Sequence, residues 1–451
     1  MSAIPKGLVS REQLRQMPGI SCCRTSILPS NSSGDFSYTA NGNNRIIFQI
    51  PAFENSFINT KRSYIRFKLT TTGANATNAL VSSSAPVFRR LLLKSAKGSV
   101  LEDIDSYDTL CRVMSNMKGK NQLEGKKTTH KEMRVEPELQ NFATGQNVIH
   151  ELHSGVLGMT QEYLIPVSSM SATSGYAFQL ELWLNDASKV LFGSKTAQVG
   201  NDYKLTEVSY DVELLEVSPE IQSDINSELT SGATISIPYK SWRHHVSHMS
   251  SGSDYKANIS ESAQNVSAIY TVMRPQSQAS SVVALVADKE KFQVNDAYKF
   301  YGGRKVIASD QPATLTVADA PQYVTKYSYK YGSKYYPLAP VDLDADSTVA
   351  LENIVSGFEL DEKMPFIAET LKLTDGTTVP RFECVDFMIA QNFKTTNDLI
   401  INGLNAASTG SPVEVNIKFN ATVTNMEILS FVEQTNVLYI MKGGASSLVA
   451  N

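Results

Sequence analysis

Apolar and polar residues alternate along most of this chain with a period of two, which places successive side chains on opposite faces of a strand. The longest run, Tyr203 to Val217, sets Val208, Tyr210, Val212 and Leu214 against Glu207, Ser209, Asp211 and Glu213 and predicts a half-buried strand. The alternation then stops. Ser218 and Pro219 read as N-cap and first helical position, and Glu220 suits the positive end of the helix dipole. Ile221, Ile225 and Leu229 fall on one helical stripe, and Gly232 stands where a C-terminal cap belongs. Strand pattern resumes from Ala233 to Tyr239, so this helix is expected to join two β-rich modules.

In the first module the pattern predicts strands at Arg45–Ile50, Tyr64–Leu69, Val87–Lys94, Val100–Ile104, Val148–Leu152, Glu162–Pro166 and Ala177–Leu184. Phe53 to Ile58 reads as an apolar loop. Ile104, Tyr107, Cys111 and Met114 recur at helical spacing up to Lys118-Gly119, and a polar loop from Lys120 to Arg134 follows. The second module offers Thr234–Tyr239, Ser267–Met273, Lys326–Tyr331, Arg381–Phe387, Val413–Phe419 and Val423–Val432, with a helix from Ser347 to Ser356 ending at Gly357. Met1 to Gly34 is broken by Pro5, Pro18 and Pro29 and reads as an extended arm, with at most a helical turn around Arg11–Met17. The expected division is an arm (1–34), a first module (35–217), a connecting helix (218–232), a second module (233–440) with a long excursion (275–340), and a tail (441–451). Short strands with one inserted helix per module fit an antiparallel sandwich or barrel rather than a βαβ array.

Length supports the division, because 451 residues exceed what a single core of roughly 250 to 300 residues holds. With 42% hydrophobic and 19% charged residues and a net charge of -4, the chain is neither disordered nor strongly basic. No apolar run reaches the roughly 20 residues a membrane span needs, and no leader pattern stands at the start, so export and anchoring are not expected. Cys22, Cys23, Cys111 and Cys384 suit neither a disulfide framework nor a zinc site, which points to a reducing compartment. Sequons at Asn31, Asn75, Asn258, Asn265 and Asn420 have no meaning without secretion.

Candidate chemistry is sparse. His150 and His153 flank Glu151 at a spacing that sends the two rings to opposite faces of a strand. His244, His245 and His248 could share a metal if helical, but no carboxylate or cysteine nearby completes the set, so a surface or interface cluster is the expectation. Asp342, Asp344 and Asp346 begin a calcium-loop pattern that fails at Ser347 and Asn353, whereas carboxylates before a helix suit its dipole. Lys126, Lys127, Lys131 and Arg134 lack interleaved aromatics and read as a solvated loop. Cys384 has no local nucleophile signature, and phosphate loops, nucleophile elbows and dinucleotide fingerprints are missing, so neither an enzyme nor a cofactor is expected. Tyr323, Tyr327, Tyr329, Tyr331, Tyr335 and Tyr336 crowd together; they suit an oligomer interface or, equally, half-exposed strand packing.

Several ordered segments carry a resemblance: Asn43-Asn44-Arg45-Ile46-Ile47-Phe48-Gln49-Ile50-Pro51, Ser63-Tyr64-Ile65-Arg66-Phe67, and Ser99-Val100-Leu101-Glu102 before Tyr107. His153-Ser154-Gly155-Val156-Leu157-Gly158, Tyr163-Leu164-Ile165-Pro166 and Leu180-Glu181-Leu182-Trp183-Leu184, with Tyr203 to Tyr210, continue it. Together, over about residues 36 to 242, they resemble the first half of double jelly-roll major capsid proteins, especially those of polinton-like viruses and virophages. The resemblance implies an all-β fold of two eight-stranded antiparallel jelly rolls side by side. It also implies a homotrimer forming pseudo-hexagonal capsomers that tile an icosahedral shell around double-stranded DNA. The protein would reside in the virion after assembly inside the host cell, with neighbouring capsomers, penton and minor capsid proteins as partners.

The arm holds only Lys6, Arg11, Arg15 and Arg24 against Glu12, too few charges to neutralise a genome, so it is expected to bind neighbouring capsomers or minor proteins. Sequence-specific nucleic-acid binding is not expected. Ile221, Ile225 and Leu229 are expected to pack between the modules. The competing reading is a two-domain β-sandwich adhesin or carbohydrate-binding protein, with Tyr323 to Tyr336 as its stacking platform.

Overall fold

The computed structural model describes residues 20–32, 34–38, 43–73, 79–81, 83–131, 142–158, 163–170, 175–193, 202–261, 263–276, 300–311, 314–357, 365–384, 386–394, 403–407, 412–441 and 444–449. In chain order the first half contributes β1 (Ser21–Ile27), β2 (Phe36–Ser37), β3 (Arg45–Pro51), β4 (Ser56–Thr72), β5 (Ala79–Val81), β6 (Phe88–Ser95), β7 (Val100–Ile104), β8 (Gln146–His150), β9 (Tyr176–Leu184), β10 (Leu191–Gly193) and β11 (Asp202–Glu216). Helices α1 (Tyr107–Asn116), α2 (Lys120–Gly125) and α3 (Lys127–His130) follow β7, and α4 (Ala187–Val190) precedes β10.

Two antiparallel sheets result, with orders β1-β11-β4-β8 and β3-β9-β6-β7. Rings from the two meet between them: Phe48 lies 6.1 Å from Tyr210, and Phe67 meets Phe88 edge-on at 5.6 Å. Apart from short β2 and the β6–β7 hairpin, successive strands of these sheets cross from one to the other, which is the jelly-roll winding.

Four expectations for this half need correction. Residues Ser21–Ile27 are not arm: they form an edge strand paired with β11 from Ser21↔Glu216 to Ile27↔Tyr210. Only Ile27 of the seven is buried, so the strand carries no apolar alternation to read. The loop expected at Phe53–Ile58 is largely the start of β4. The polar loop expected after Gly119 holds α2 and α3, anchored by Leu123 and by ion pairs described below. The strand expected at Glu162–Pro166 reduces to an isolated bridge of Ile165 with Ile58.

β11 also differs from a half-buried strand. Glu207 has φ +52°, and the register with β4 shifts between Thr206 and Ser209. This bulge moves the apolar core face from odd-numbered Tyr203 and Leu205 to even-numbered Val208, Tyr210, Val212 and Leu214. The opposite face is buried too, because Asp211 takes Arg66 Nε at 3.0 Å and Glu213 takes Asn59 Nδ2 at 2.6 Å.

The linking helix α5 (Pro219–Thr230) begins where its cap residues predict. Ser218 Oγ accepts from the Ile221 amide at 3.5 Å, Pro219 needs no partner at its position, and Gly232 follows with φ +95°. Ser218→Ala is expected to cost about 1 kcal/mol in urea unfolding; an unchanged midpoint would show that tertiary contacts alone define the start of α5.

The second half contributes β12 (Ile235–Ile259), β13 (Val266–Pro275), β14 (Lys305–Gln311), β15 (Thr314–Asp319), β16 (Val324–Tyr331), β17 (Lys334–Asp342), α6 (Thr348–Gly357), β18 (Thr370–Lys372), β19 (Thr378–Pro380), β20 (Ile389–Asn392), β21 (Val413–Met441) and β22 (Gly444–Val449). β12 and β21 pair along almost their full lengths, from Ile235↔Ile440 to Ile259↔Val413. The predicted strands Val413–Phe419 and Val423–Val432 are thus one continuous element.

When each long strand is divided in two, the first half's orders recur. The start of β12, the end of β21, β13 and β20 match β1-β11-β4-β8. The end of β12, the start of β21, β16 and β17 match β3-β9-β6-β7. In both halves a helix follows the last strand of the second order, α1 after β7 and α6 after β17.

Three further corrections follow. Arg381–Phe387 is no strand; it opens with a 3-10 turn at Arg381–Glu383 that brings Arg381 back onto Asp386. The excursion expected to run to residue 340 ends earlier, because β16 and β17 belong to the main sheet, and β14 with β15 forms its hairpin. The tail contains β22, paired with the end of β21.

Candidate functional site

Buried residues of both halves form one contiguous hydrophobic cluster, and polar contacts cross the seam between them. Asp386 is fully buried and receives Arg112 Nη2 from α1 at 2.5 Å. Arg381 reaches the other carboxylate oxygen through Nη2 at 3.0 Å and stacks over the Phe366 ring at 4.1 Å. Beside it, the Phe366 amide donates to the Lys118 carbonyl at 2.9 Å, and the Tyr239 hydroxyl donates to the Leu101 carbonyl at 3.2 Å. Gly155 lies against the Lys240 carbonyl, leaving no room for a Cβ. Burial pushes the neighbouring Glu102 carboxyl up to about 7, against the pull of the Ser154 hydroxyl and the Gly155 and Val156 amides that donate to it. Sequence reasoning missed these contacts; Arg112 and Asp386 stand 274 positions apart, with no local signal connecting them.

In α5, Ile225 and Leu229 are buried and Ile221 is half-buried. The helix's polar side faces the 3-10 turn Val167–Met170: Gln222 Nε2 donates to Ser169 Oγ at 2.9 Å, and Ser168 Oγ donates to Gln222 Oε1 at 2.6 Å.

The tyrosine cluster divides. Tyr327, Tyr329 and Tyr331 are buried, because β16 lies between β17 and β21 and their face points into the second core. Tyr329 donates to Thr271 Oγ1 at 3.0 Å and Tyr331 to the Asn405 carbonyl at 2.6 Å. These three offer no outer surface for a partner or a sugar. Tyr323 and Tyr336 are half-buried and Tyr335 is exposed. Tyr335 belongs to the edge strand β17, where Leu338 is 90% exposed.

His150 and His153 belong to an unforeseen cluster. β8 ends in the interior, so His150 is buried between Tyr107 Oη and Ser84 Oγ, each 3.1 Å from a ring nitrogen. Burial, aided by His130 and Lys118, pushes its pKa down to about 3. His153 is likewise driven well below the usual imidazole range by burial. Lys126 Nζ bonds both Glu151 carboxylate oxygens at 2.6 Å, and Lys118 Nζ bonds Oε2 at 2.9 Å. Burial alone would raise the Glu151 pKa; the two ammonium groups hold it far below the carboxylate range. Burial and then Lys118 push Lys126 down to about 8. The solvated loop expected here is therefore in part a half-buried ion cluster, although Arg134 lies outside the described residues.

The other candidates resolve simply. His244, His245 and His248 lie on β12 as a strand, and His245 Nε2 stands 3.5 Å from Glu261 Oε2. The helical spacing that a shared metal requires is absent there. Asp342 takes the Asp344 amide at 3.1 Å and Lys326 Nζ at 2.8 Å, and Asp346 caps α6 through the Thr348 amide at 2.8 Å. These carboxylates close a turn and a helix start. Among the described residues no group of three or more metal-ligating side chains converges, and no helix is long and apolar enough to cross a membrane. All four cysteines are free thiols. Lys6, Arg11 and Arg15 lie outside the described residues, whereas Arg24 is part of β1 and pairs with Glu213 at 3.6 Å.

Two jelly rolls of the same strand order, sharing one core, define the fold of the double jelly-roll major capsid proteins. Solved structures agree. The capsid of PBCV-1 matches with a TM-score of 0.61 at 10% identity, covering 97% of this chain and 98% of that one. The Faustovirus major capsid protein matches with a TM-score of 0.60 at 10% identity, covering 94% and 91%. A chain of the Sputnik virophage matches with a TM-score of 0.54 at 10% identity, covering 96% and 89%. No protein-family model matches, and no curated protein matches by sequence.

Proposed function

We propose that this chain is a viral major capsid protein, a structural subunit without catalytic activity. It trimerises into pseudo-hexagonal capsomers that tile an icosahedral shell around a double-stranded DNA genome. The observation that carries the reading is the repeated strand order of the two halves. Two equivalent wedges per chain give a trimer six, the number a pseudo-hexagonal tile needs. The seam around Asp386 supports it, since a tile requires the two wedges to hold one angle, and α5 with Ile221, Ile225 and Leu229 serves the same end.

Neighbouring capsomers, penton and minor capsid proteins are the partners, with Lys6, Arg11 and Arg15 reaching the first of these and Tyr335 standing on an exposed edge. The inward burial of Tyr327, Tyr329 and Tyr331 weighs against the carbohydrate-binding alternative, which needs them as an exposed platform. Mass measurement in solution is expected to give about three times the 49.5 kDa chain, and negative-stain images pseudo-hexagonal particles. A stable monomer that never assembles overturns the proposal.

A further inference from the structure

A cavity of about 40 Å³ lies between α1, α2 and β8, lined among others by Ser84, Lys118, Lys126, His150 and Glu151. That volume holds roughly three water-sized atoms, since one needs about 10–15 Å³. Its walls carry unequal charge. Lys118 and Lys126 both bond Glu151 Oε2, which is the sole carboxylate among the described residues lining the space. The two ammonium side chains are only 21% and 24% exposed.

The Glu151 side chain is 41% exposed, so one negative charge stands against two positive ones in a site only partly removed from water, where an uncompensated charge still carries a cost. Each ammonium has three donors, and Glu151 does not exhaust them. His150 stays neutral and supplies no charge of its own.

We propose that this cavity binds a small inorganic anion of the halide class, held between the Lys118 and Lys126 ammonium groups. The anion balances the second lysine. It also stabilises the α1–α3 segment, whose Lys118 carbonyl takes the Phe366 amide across the seam.

Thermal unfolding of the full chain, with chloride replacing gluconate at constant ionic strength, tests the site. Wild type is expected to melt about 2 °C higher in chloride, and Lys126→Met to lose that difference because its pocket is already neutral. An equal shift in both proteins overturns the proposal, as does no shift in wild type. Should Lys126→Met fail to fold, crystals grown in bromide decide: an anomalous peak in the cavity supports the site, and its absence with bromide ordered elsewhere rejects it.

Discussion

Asp386→Ala is expected to lower the unfolding free energy of the full chain by about 3–5 kcal/mol, read from urea unfolding at neutral pH. The carboxylate is fully buried and is the shared partner of Arg112 and Arg381, themselves 7% and 6% exposed. Removing it leaves two guanidinium groups inside a low-dielectric seam beside the Phe366 ring. The size of the effect comes from two buried positive charges losing their shared carboxylate rather than from the hydrogen bonds as such. Replacing all three by apolar residues (Arg112→Met, Asp386→Leu, Arg381→Met) is therefore expected to recover most of the loss. Hydrogen exchange is expected to rise together in Tyr107–Asn116 and around Phe366 in the single variant, since the seam joins them. A loss below about 1 kcal/mol, or protection lost on only one side, would refute the view of this seam as a shared lock.

How much of this was legible depended on whether the determining contacts were local. The helix Pro219–Thr230 was readable to the residue because Ser218, Pro219 and Gly232 act within a turn of their own positions. β7 at Val100–Ile104 and β9 at Tyr176–Leu184 were readable because one face of each meets the core. β1 was not: as an edge strand it buries only Ile27, and its pairing with β11 across the chain leaves no periodic trace. Tyr327, Tyr329 and Tyr331 showed the right alternation but not its destination, which depends on β17 covering the edge of β16. The seam and the Lys118–Lys126–Glu151 cluster were illegible for a related reason. Charged residues in sequence read as solvated, and only the packed fold shows that Lys118 before α2 and Lys126 between α2 and α3 meet Glu151 at the end of β8 in a half-buried cluster.

Acidification is expected to weaken the first module through His150. Its folded pKa of about 3 lies below the ordinary 6.5, so the unfolded chain takes up a proton that the folded site refuses. The stability this contributes is fully present above about pH 6.5 and is lost as pH falls from there towards 3, amounting to roughly 2 kcal/mol by pH 5. Burial sets the sign, and His130 and then Lys118 add to it against the opposing pull of Glu151, while Tyr107, Ser84 and Cys111 bring no charge and His153 and Lys126 line the same cavity. A proton on His150 would therefore meet positive charge without water. His150→Asn is expected to be less stable at pH 7, having given up the Tyr107 or Ser84 bond, yet to lose about 2 kcal/mol less than wild type between pH 7 and 5. Imidazole chemical shifts offer a direct check, with the His150 ring staying neutral at pH 5; titration near 6.5 would reject the mechanism. Because the Lys118 carbonyl holds the Phe366 amide, loosening at His150 reaches the seam within the same segment, so acid should weaken the joint between the two jelly rolls before either sheet opens.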